Sequence, residues 1–98
     1  MNSMTVEQLE QMLKAKEDIQ VLDVREVAEV EAGHIPGMVN MPLSLLEFRM
    51  NELSKNTAYA VICHAGGRSA QATMFLQSHG YNVTNVEGGM SAWMGDVE

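Results

Sequence analysis

Apolar residues in this chain fall into short runs that are separated by segments of helical spacing. The runs at residues 19–24, 58–62 and 82–86 predict buried strands, and a briefer strand is predicted at 39–41. Because strands and helical segments alternate along the chain, we predict an α/β fold with a mostly parallel central sheet and helices on both faces.

The helical segments are marked by apolar residues that recur every three or four positions and by residues typical of helix ends. Thr5-Val6-Glu7-Gln8 resembles a capping box, so a first helix is expected to run to about Lys14. Another helix opens at Ser69, and Gly80 stands where a left-handed C-terminal cap would end it. Further helical segments are predicted at residues 26–32, 43–53 and 90–96.

Composition narrows the classes of partner. A chain of 98 residues suits one small domain, expected over residues 1–98, and 46% hydrophobic with 19% charged residues is typical of a globular protein. The net charge of −7 and the lack of a basic cluster argue against nucleic acid and anionic membranes as partners. One cysteine excludes an internal disulfide, and no export or membrane segment is evident, so we expect a cytoplasmic protein.

The stretch Val-Ile-Cys-His-Ala-Gly-Gly-Arg-Ser-Ala-Gln-Ala, residues 61–72, carries the candidate chemistry. It leaves a buried strand at Cys63, passes through two glycines and enters a helix, so its backbone N–H groups and the helix N-terminus should converge on an anion. Such surroundings lower the pKa of a thiol, and the thiolate is the nucleophilic form. Cys63 is therefore the candidate catalytic nucleophile.

The loop that follows Cys63 is the predicted substrate and anion site. Arg68 could add charge to a bound anion or, equally well, pair with a carboxylate beneath the loop. Ser69 is expected to cap the helix, and His64 to line the pocket rather than to transfer protons. The predicted loop comprises His64, Ala65, Gly66, Gly67, Arg68 and Ser69.

Four motifs in this order and spacing resemble a single rhodanese (sulfurtransferase) domain, and they extend over residues 21–93. They are Cys63-x4-Arg68-Ser69, Val21-Leu22-Asp23-Val24-Arg25-Glu26, Gly33-His34-Ile35-Pro36-Gly37-Met38-Val39-Asn40-Met41-Pro42, and Glu87-Gly88-Gly89-Met90-Ser91-Ala92-Trp93. The resemblance implies a rhodanese-like fold and places Asp23 and Arg25 as supports of the active loop. His34, in the Gly-His-Ile-Pro-Gly run, is interpreted as a hydrogen-bonding brace.

The expected reaction is transfer of a sulfane sulfur through a Cys63 persulfide, with one nucleophile and no cofactor. Thiosulfate, another small persulfide or a protein persulfide would be the donor, and a thiol, cyanide or a protein the acceptor. No metal site is expected, because Cys63 and the three histidines lack the spacing of zinc ligands.

Two other functions compete with sulfur transfer. Phosphatases and arsenate reductases related to this fold have, by resemblance, five residues between cysteine and arginine, whereas this chain has four, which better suits a single sulfur atom. Rhodanese-like modules can also be binding or regulatory domains. These commonly lack the cysteine that this chain retains.

Overall fold

The computed structural model describes all 98 residues. Five strands form one sheet in the order β1-β5-β4-β2-β3, and every neighbouring pair is parallel. In chain order the strands are β1 (Ser3–Thr5), β2 (Gln20–Asp23), β3 (Val39–Asn40), β4 (Ala58–Ile62) and β5 (Asn82–Glu87). The predicted α/β fold class is confirmed.

Helices connect the strands and cover both faces of the sheet. They are α1 (Val6–Lys14), α2 (Val27–Glu31), α3 (Leu46–Arg49), α4 (Gly67–Ser78) and α5 (Gly89–Ala92), with single 3-10 turns at Leu43–Leu45 and Met50–Glu52. The predicted capping box starts α1: Thr5 Oγ1 accepts from the Gln8 amide at 3.1 Å, and Gln8 Oε1 accepts from the Thr5 amide at 2.8 Å. None of these helices is long and apolar enough to span a membrane.

The sheet separates two apolar layers. On one face, Leu46 of α3 and Leu76 of α4 pack over Val61 of β4. On the other face, Leu9 of α1 and Trp93 pack over Ile62. Strands β2 and β4 are buried on both sides, which explains why they appear in the sequence as continuous apolar runs rather than as alternating ones.

The structure differs from the sequence-based elements in four places. The segment 43–53 is not one helix: a 3-10 turn, one α-helical turn and a second 3-10 turn follow one another. The last helix ends at Ala92 rather than at 96, and α4 begins at Gly67, two residues before Ser69. Strand β1 was not predicted, since its three residues owe their conformation to pairing with β5.

Candidate functional site

The Cys63 loop lies at the carboxyl edge of the sheet, between the end of β4 and the start of α4. In parallel α/β sheets this edge is where sites form, because the loops that follow adjacent strands meet there. Here β4 lies between β5 and β2, so the segments after those two strands flank the loop. Cys63 itself is only 1% exposed, whereas His64 and Ala65 are exposed beside it.

Polar groups of the loop surround the Cys63 sulfur. The Gly66 amide donates to Cys63 Sγ at 3.1 Å, and the thiol donates to Ser69 Oγ at 3.3 Å. Ser69 Oγ in turn donates to the Gly66 carbonyl at 3.2 Å. Gly66 has φ +108°, a left-handed conformation that favours glycine and turns its amide toward the sulfur.

The net effect of these surroundings favours the ionised sulfur. Burial raises the pKa of the Cys63 thiol, but hydrogen bonds from the Ser69 side chain and from the backbone amides of Ser69, Gly66 and Ala65 outweigh it. The pKa therefore lies below the usual 9.0. Because the thiolate is the nucleophilic form of cysteine, this lowered pKa would favour attack by Cys63 on an electrophilic atom.

The first turn of α5 holds the loop from behind. The Met90 amide donates to the Cys63 carbonyl at 2.9 Å, and the Ser91 amide donates to the His64 carbonyl at 2.8 Å. Gly89 has φ +58°, and a Cβ atom there would lie 2.5 Å from the Cys63 carbonyl oxygen. With two carbonyls bound on this side, the loop is free to present its amides to the sulfur.

Arg68 pairs with a carboxylate. Its guanidinium makes two hydrogen bonds to Glu29, at 2.6 Å and 2.8 Å, and so joins the first turn of α4 to α2. The Arg68 hydrogen bond is the main cause that lowers the pKa of Glu29 from 4.5 to about 2. Of the two roles left open by the sequence, the structure displays the pairing with a carboxylate.

Asp23 and Arg25 form a buried bidentate pair at the end of β2. Arg25 Nε lies 3.0 Å and Nη2 2.8 Å from the Asp23 carboxylate, while Nη1 and Nη2 also donate to the Glu29 and Gly33 carbonyls. Neither side chain bonds to residues 64–69. The support implied by the resemblance stays a prediction, and the contacts give it one route: Arg25 bonds to α2, and α2 carries the Glu29 that pairs with Arg68.

His34 braces α2 and the end of the chain rather than the Cys63 loop. Its Nδ1 lies 2.9 Å from the Val30 carbonyl, and its backbone exchanges two hydrogen bonds with Glu98. A part in support of the Cys63 loop is not seen in these contacts.

Ser69 is not the helix cap that the sequence predicts. Gly66 occupies that position, and Ser69 lies within the first turn of α4.

Sequence reasoning missed two parts of the site. Glu29 is one of 13 acidic residues and lies 39 positions from Arg68, so no local pattern singles it out. Gly89 stands in the sequence only as one member of the motif at residues 87–93. Its signal was the Gly88-Gly89 pair directly after a predicted strand, since such glycines can mark a close backbone approach.

No three His, Cys, Asp or Glu side chains converge as a metal-binding group. The arrangement offers instead a stabilised thiolate, converging amides and a helix N-terminus. Together these can hold a nucleophile and the negative charge that it acquires or releases. The catalytic and binding roles of the loop residues stay predictions.

Comparison with known sequences assigns this chain to a family. Residues 5–96 match the sequence pattern of the rhodanese-like domain family. A protein of Allochromatium vinosum named Sulfurtransferase is 38% identical over 93 residues, which cover 94% of this chain and 87% of that protein. Thiosulfate sulfurtransferase GlpE of Shewanella oneidensis is 32% identical over 91 residues, which cover 92% and 89%.

Other relatives are longer, and solved structures agree with the fold. The chain spans only 51% of YrkF of Bacillus subtilis, to which it is 41% identical over 95 residues, 96% of this chain. A rhodanese-like domain protein of Staphylococcus aureus superposes with a TM-score of 0.93 at 34% identity, covering 100% of this chain and 97% of that one. The chain therefore belongs to the family of rhodanese-like domains.

Proposed function

We propose that this protein is a sulfurtransferase that carries a sulfane sulfur as a persulfide on Cys63. The observation that carries the proposal is the environment of the sulfur: Cys63 is buried, its pKa is lowered, and its Sγ accepts from the Gly66 amide at 3.1 Å. The same donors would stabilise the negative outer sulfur of a persulfide. Relatives named as sulfurtransferases support this reading.

The reaction proceeds in two displacements on sulfur. The Cys63 thiolate attacks the outer sulfur of thiosulfate or of a small or protein persulfide, a new S–S bond forms, and the old S–S bond breaks. Its electron pair leaves with sulfite or with the donor thiolate. An acceptor thiolate or cyanide then attacks the outer sulfur of the Cys63 persulfide, and the Cys63 thiolate is the leaving group.

The acceptor must come from outside the chain. Cys63 is the only cysteine, so its persulfide cannot be resolved as an internal disulfide. A low-molecular-weight thiol, cyanide or a protein thiol can serve in this role. No cofactor is needed, because each displacement only exchanges one bonding partner of the sulfane sulfur for another. The cytoplasmic location also stays a prediction.

The geometry favours sulfur transfer over phosphate-ester hydrolysis. A phosphatase of this kind would need a guanidinium that is free to bind two phosphate oxygens, but both Arg68 Nη atoms are bonded to Glu29. The loop also has only four residues between Cys63 and Arg68. The amides that remain suit one sulfur atom better than a tetrahedral oxyanion.

Intact-mass measurement tests the proposal. The reduced protein is exposed briefly to thiosulfate or to glutathione persulfide and weighed without added reductant, beside a Cys63→Ser variant. We expect the mass of one sulfur atom on the native chain alone, which cyanide then removes as thiocyanate. No gain with either donor would contradict sulfur transfer and would favour a non-catalytic binding module.

A further inference from the structure

Three large apolar side chains are exposed near the Cys63 loop and form what we call the apolar rim: Val27, Leu45 and Phe48, with 56%, 43% and 79% of their surface accessible. Leu45 and Phe48 are three residues apart across the start of α3 and so lie on adjacent positions of one helical face. Phe48 in particular contributes nothing to either apolar layer of the core.

Backbone and side-chain contacts place the apolar rim at the same sheet edge as Cys63. Val27 starts α2 directly after the end of β2, which pairs with β4. The Leu43 amide donates to the Val24 carbonyl at 3.0 Å, and Ser44 Oγ donates to Glu26 at 3.4 Å, which joins the Leu43–Leu45 turn to the start of α2. Strands lie about 4.8 Å apart, so these segments fall within one protein-sized footprint around the loop.

A groove beside the apolar rim can receive a side chain of a partner. It lies between α3 and α4 and has a volume of about 250 Å³. Gln71, one helical turn after the start of α4, connects it to the Cys63 loop. The groove is lined by Leu43, Leu46, Glu47, Gln71 and Phe75.

The unpaired charges at this edge are all negative. Glu26, Glu47 and Glu87 are exposed and make no salt bridge. The arginines of the same segments are each paired with a carboxylate: Arg25 with Asp23, Arg49 with Glu52, and Arg68 with Glu29. A partner that covers the edge therefore meets apolar surface interspersed with unpaired carboxylates, which favours lysine and arginine on its own face.

We propose that this edge docks a sulfur-donating or sulfur-accepting protein whose contact face combines apolar and basic residues. The proposal rests on sulfur transfer by Cys63. A second copy of the chain fits poorly, since it would set the same three carboxylates near one another. Because Cys63 is buried, the partner presents its reacting group on a projecting segment. A donor brings a persulfide to the Cys63 thiolate, and an acceptor brings a thiolate to the outer sulfur of the Cys63 persulfide.

Two synthetic peptides test the proposal, each with one cysteine converted to the persulfide and flanked by leucines, and with either lysines or glutamates at the remaining positions. The rate of sulfur loading on Cys63 is measured by quenched mass spectrometry, beside glutathione persulfide. We expect the lysine peptide to react at least about tenfold faster than the glutamate peptide at low salt, with the ratio falling as salt rises.

Matched variants test whether the preference for the lysine peptide arises at this edge. Glu47→Gln/Glu87→Gln should reduce the ratio, while Glu17→Gln/Asp18→Asn, which removes two charges before β2 at the opposite edge, should leave it unchanged. Leu45→Ser/Phe48→Ser should slow both leucine-containing peptides and spare glutathione persulfide. Met74→Ser, which alters an exposed apolar residue on α4, is the matched control.

The outcomes separate the two proposals. Loading by glutathione persulfide with equal rates for both peptides would overturn the docking surface and keep sulfur transfer. If nothing loads Cys63, sulfur transfer falls, and binding of the fluorescently labelled thiol peptides to Cys63→Ser then decides the docking surface alone: no preference for the lysine peptide overturns it. A dimer in sedimentation that dissociates on Leu45→Ser/Phe48→Ser would assign the apolar rim to a second copy and also overturn it.

Discussion

One neighbouring hydroxyl is expected to set much of the reactivity of Cys63. Ser69 is fully buried, and its side chain is the largest of the contributions that lower the pKa of the thiol against the effect of burial. A hydrogen bond to a charged group contributes about 1.5–3 kcal/mol. Ser69→Ala should therefore raise the pKa of Cys63 and slow its alkylation by iodoacetamide at pH 7 several-fold.

The pH profile of alkylation shows the direction in which the pKa of Cys63 moves. Since the thiolate reacts, the rate rises with pH and levels off above the pKa of Cys63, so loss of Ser69 Oγ should move the whole profile to higher pH. Ser78→Ala is the matched control, because Ser78 Oγ bonds to the Phe75 carbonyl at the far end of the same helix. Coincident profiles for Ser69→Ala and the wild type would refute this role of Ser69.

Gly89 lies so close to the Cys63 loop that no side chain fits at this position. Gly89→Ala adds a Cβ at 2.5 Å from the Cys63 carbonyl oxygen, in addition to the left-handed strain of about 1–2 kcal/mol. Relief of that overlap should cost roughly 1–3 kcal/mol more and displace the loop. Urea unfolding should show the loss of stability, and alkylation of Cys63 should slow.

Gly37→Ala separates strain from overlap. Gly37 has φ +81°, so it pays a similar conformational cost, but nothing lies within 4 Å of the added Cβ. We expect it to lose only the strain energy and to keep the reactivity of Cys63. Equal losses of stability in the two variants would show that the close approach of the turn to the loop does not matter.

At the scale of elements, Glu29 and Arg68 tie α2 to α4. Both side chains are more than a third exposed, so the pair should contribute no more than about 1 kcal/mol. The pKa of Glu29 in the folded protein is about 2, below its ordinary 4.5. This contribution is therefore fully present above pH 4.5 and is lost as the pH falls toward 2.

A double-mutant cycle measures this tie. Glu29→Gln, Arg68→Gln and the double variant are unfolded in urea at pH 7 and at pH 3, and the coupling energy should be smaller at pH 3. The Glu29→Gln variant also releases Arg68 from its carboxylate. If Arg68 only positions α4, this variant should load sulfur from thiosulfate no faster than the wild type does. Faster loading would show that the guanidinium can bind the donor once released.

The elements also show how far the sequence could lead. Strands β2, β4 and β5 and helices α1 and α4 were predictable, because their own residues carry the apolar pattern and the caps. β1 was not, since its residues are mostly exposed and are held by pairing with Asn85–Glu87. Segment 43–53 kept its apolar spacing of three to four residues, which 3-10 turns and an α-helix satisfy alike.

The candidate site, too, could be predicted from the sequence only in part. The candidate nucleophile and its glycines are contiguous in sequence, so a joint role for them could be predicted from residues 63–69 alone. The contacts that hold the loop come from Glu29 and from the first turn of α5, at sequence distances that only the parallel sheet order brings together. No single-sequence pattern encodes which of several acids meets Arg68.

At the scale of the whole molecule, the net charge of −7 acts on the encounter with donors. Thiosulfate carries two negative charges and is repelled at long range, and salt screens that repulsion over about 8–10 Å near physiological strength. The second-order rate of loading by thiosulfate should rise with added sodium chloride. Alkylation by uncharged iodoacetamide, measured in the same series, should stay constant; a thiosulfate rate that falls would contradict this view.

The Ser69 hydroxyl has one more consequence. In the thiol form it accepts from Cys63 and donates to the Gly66 carbonyl. When the sulfur is ionised, the hydroxyl hydrogen can rotate toward it, since hydroxyl groups turn to suit their partners. Changing the charge at this site therefore requires the turn of a single hydrogen atom, and the heavy atoms of the loop already stand where the anion needs them.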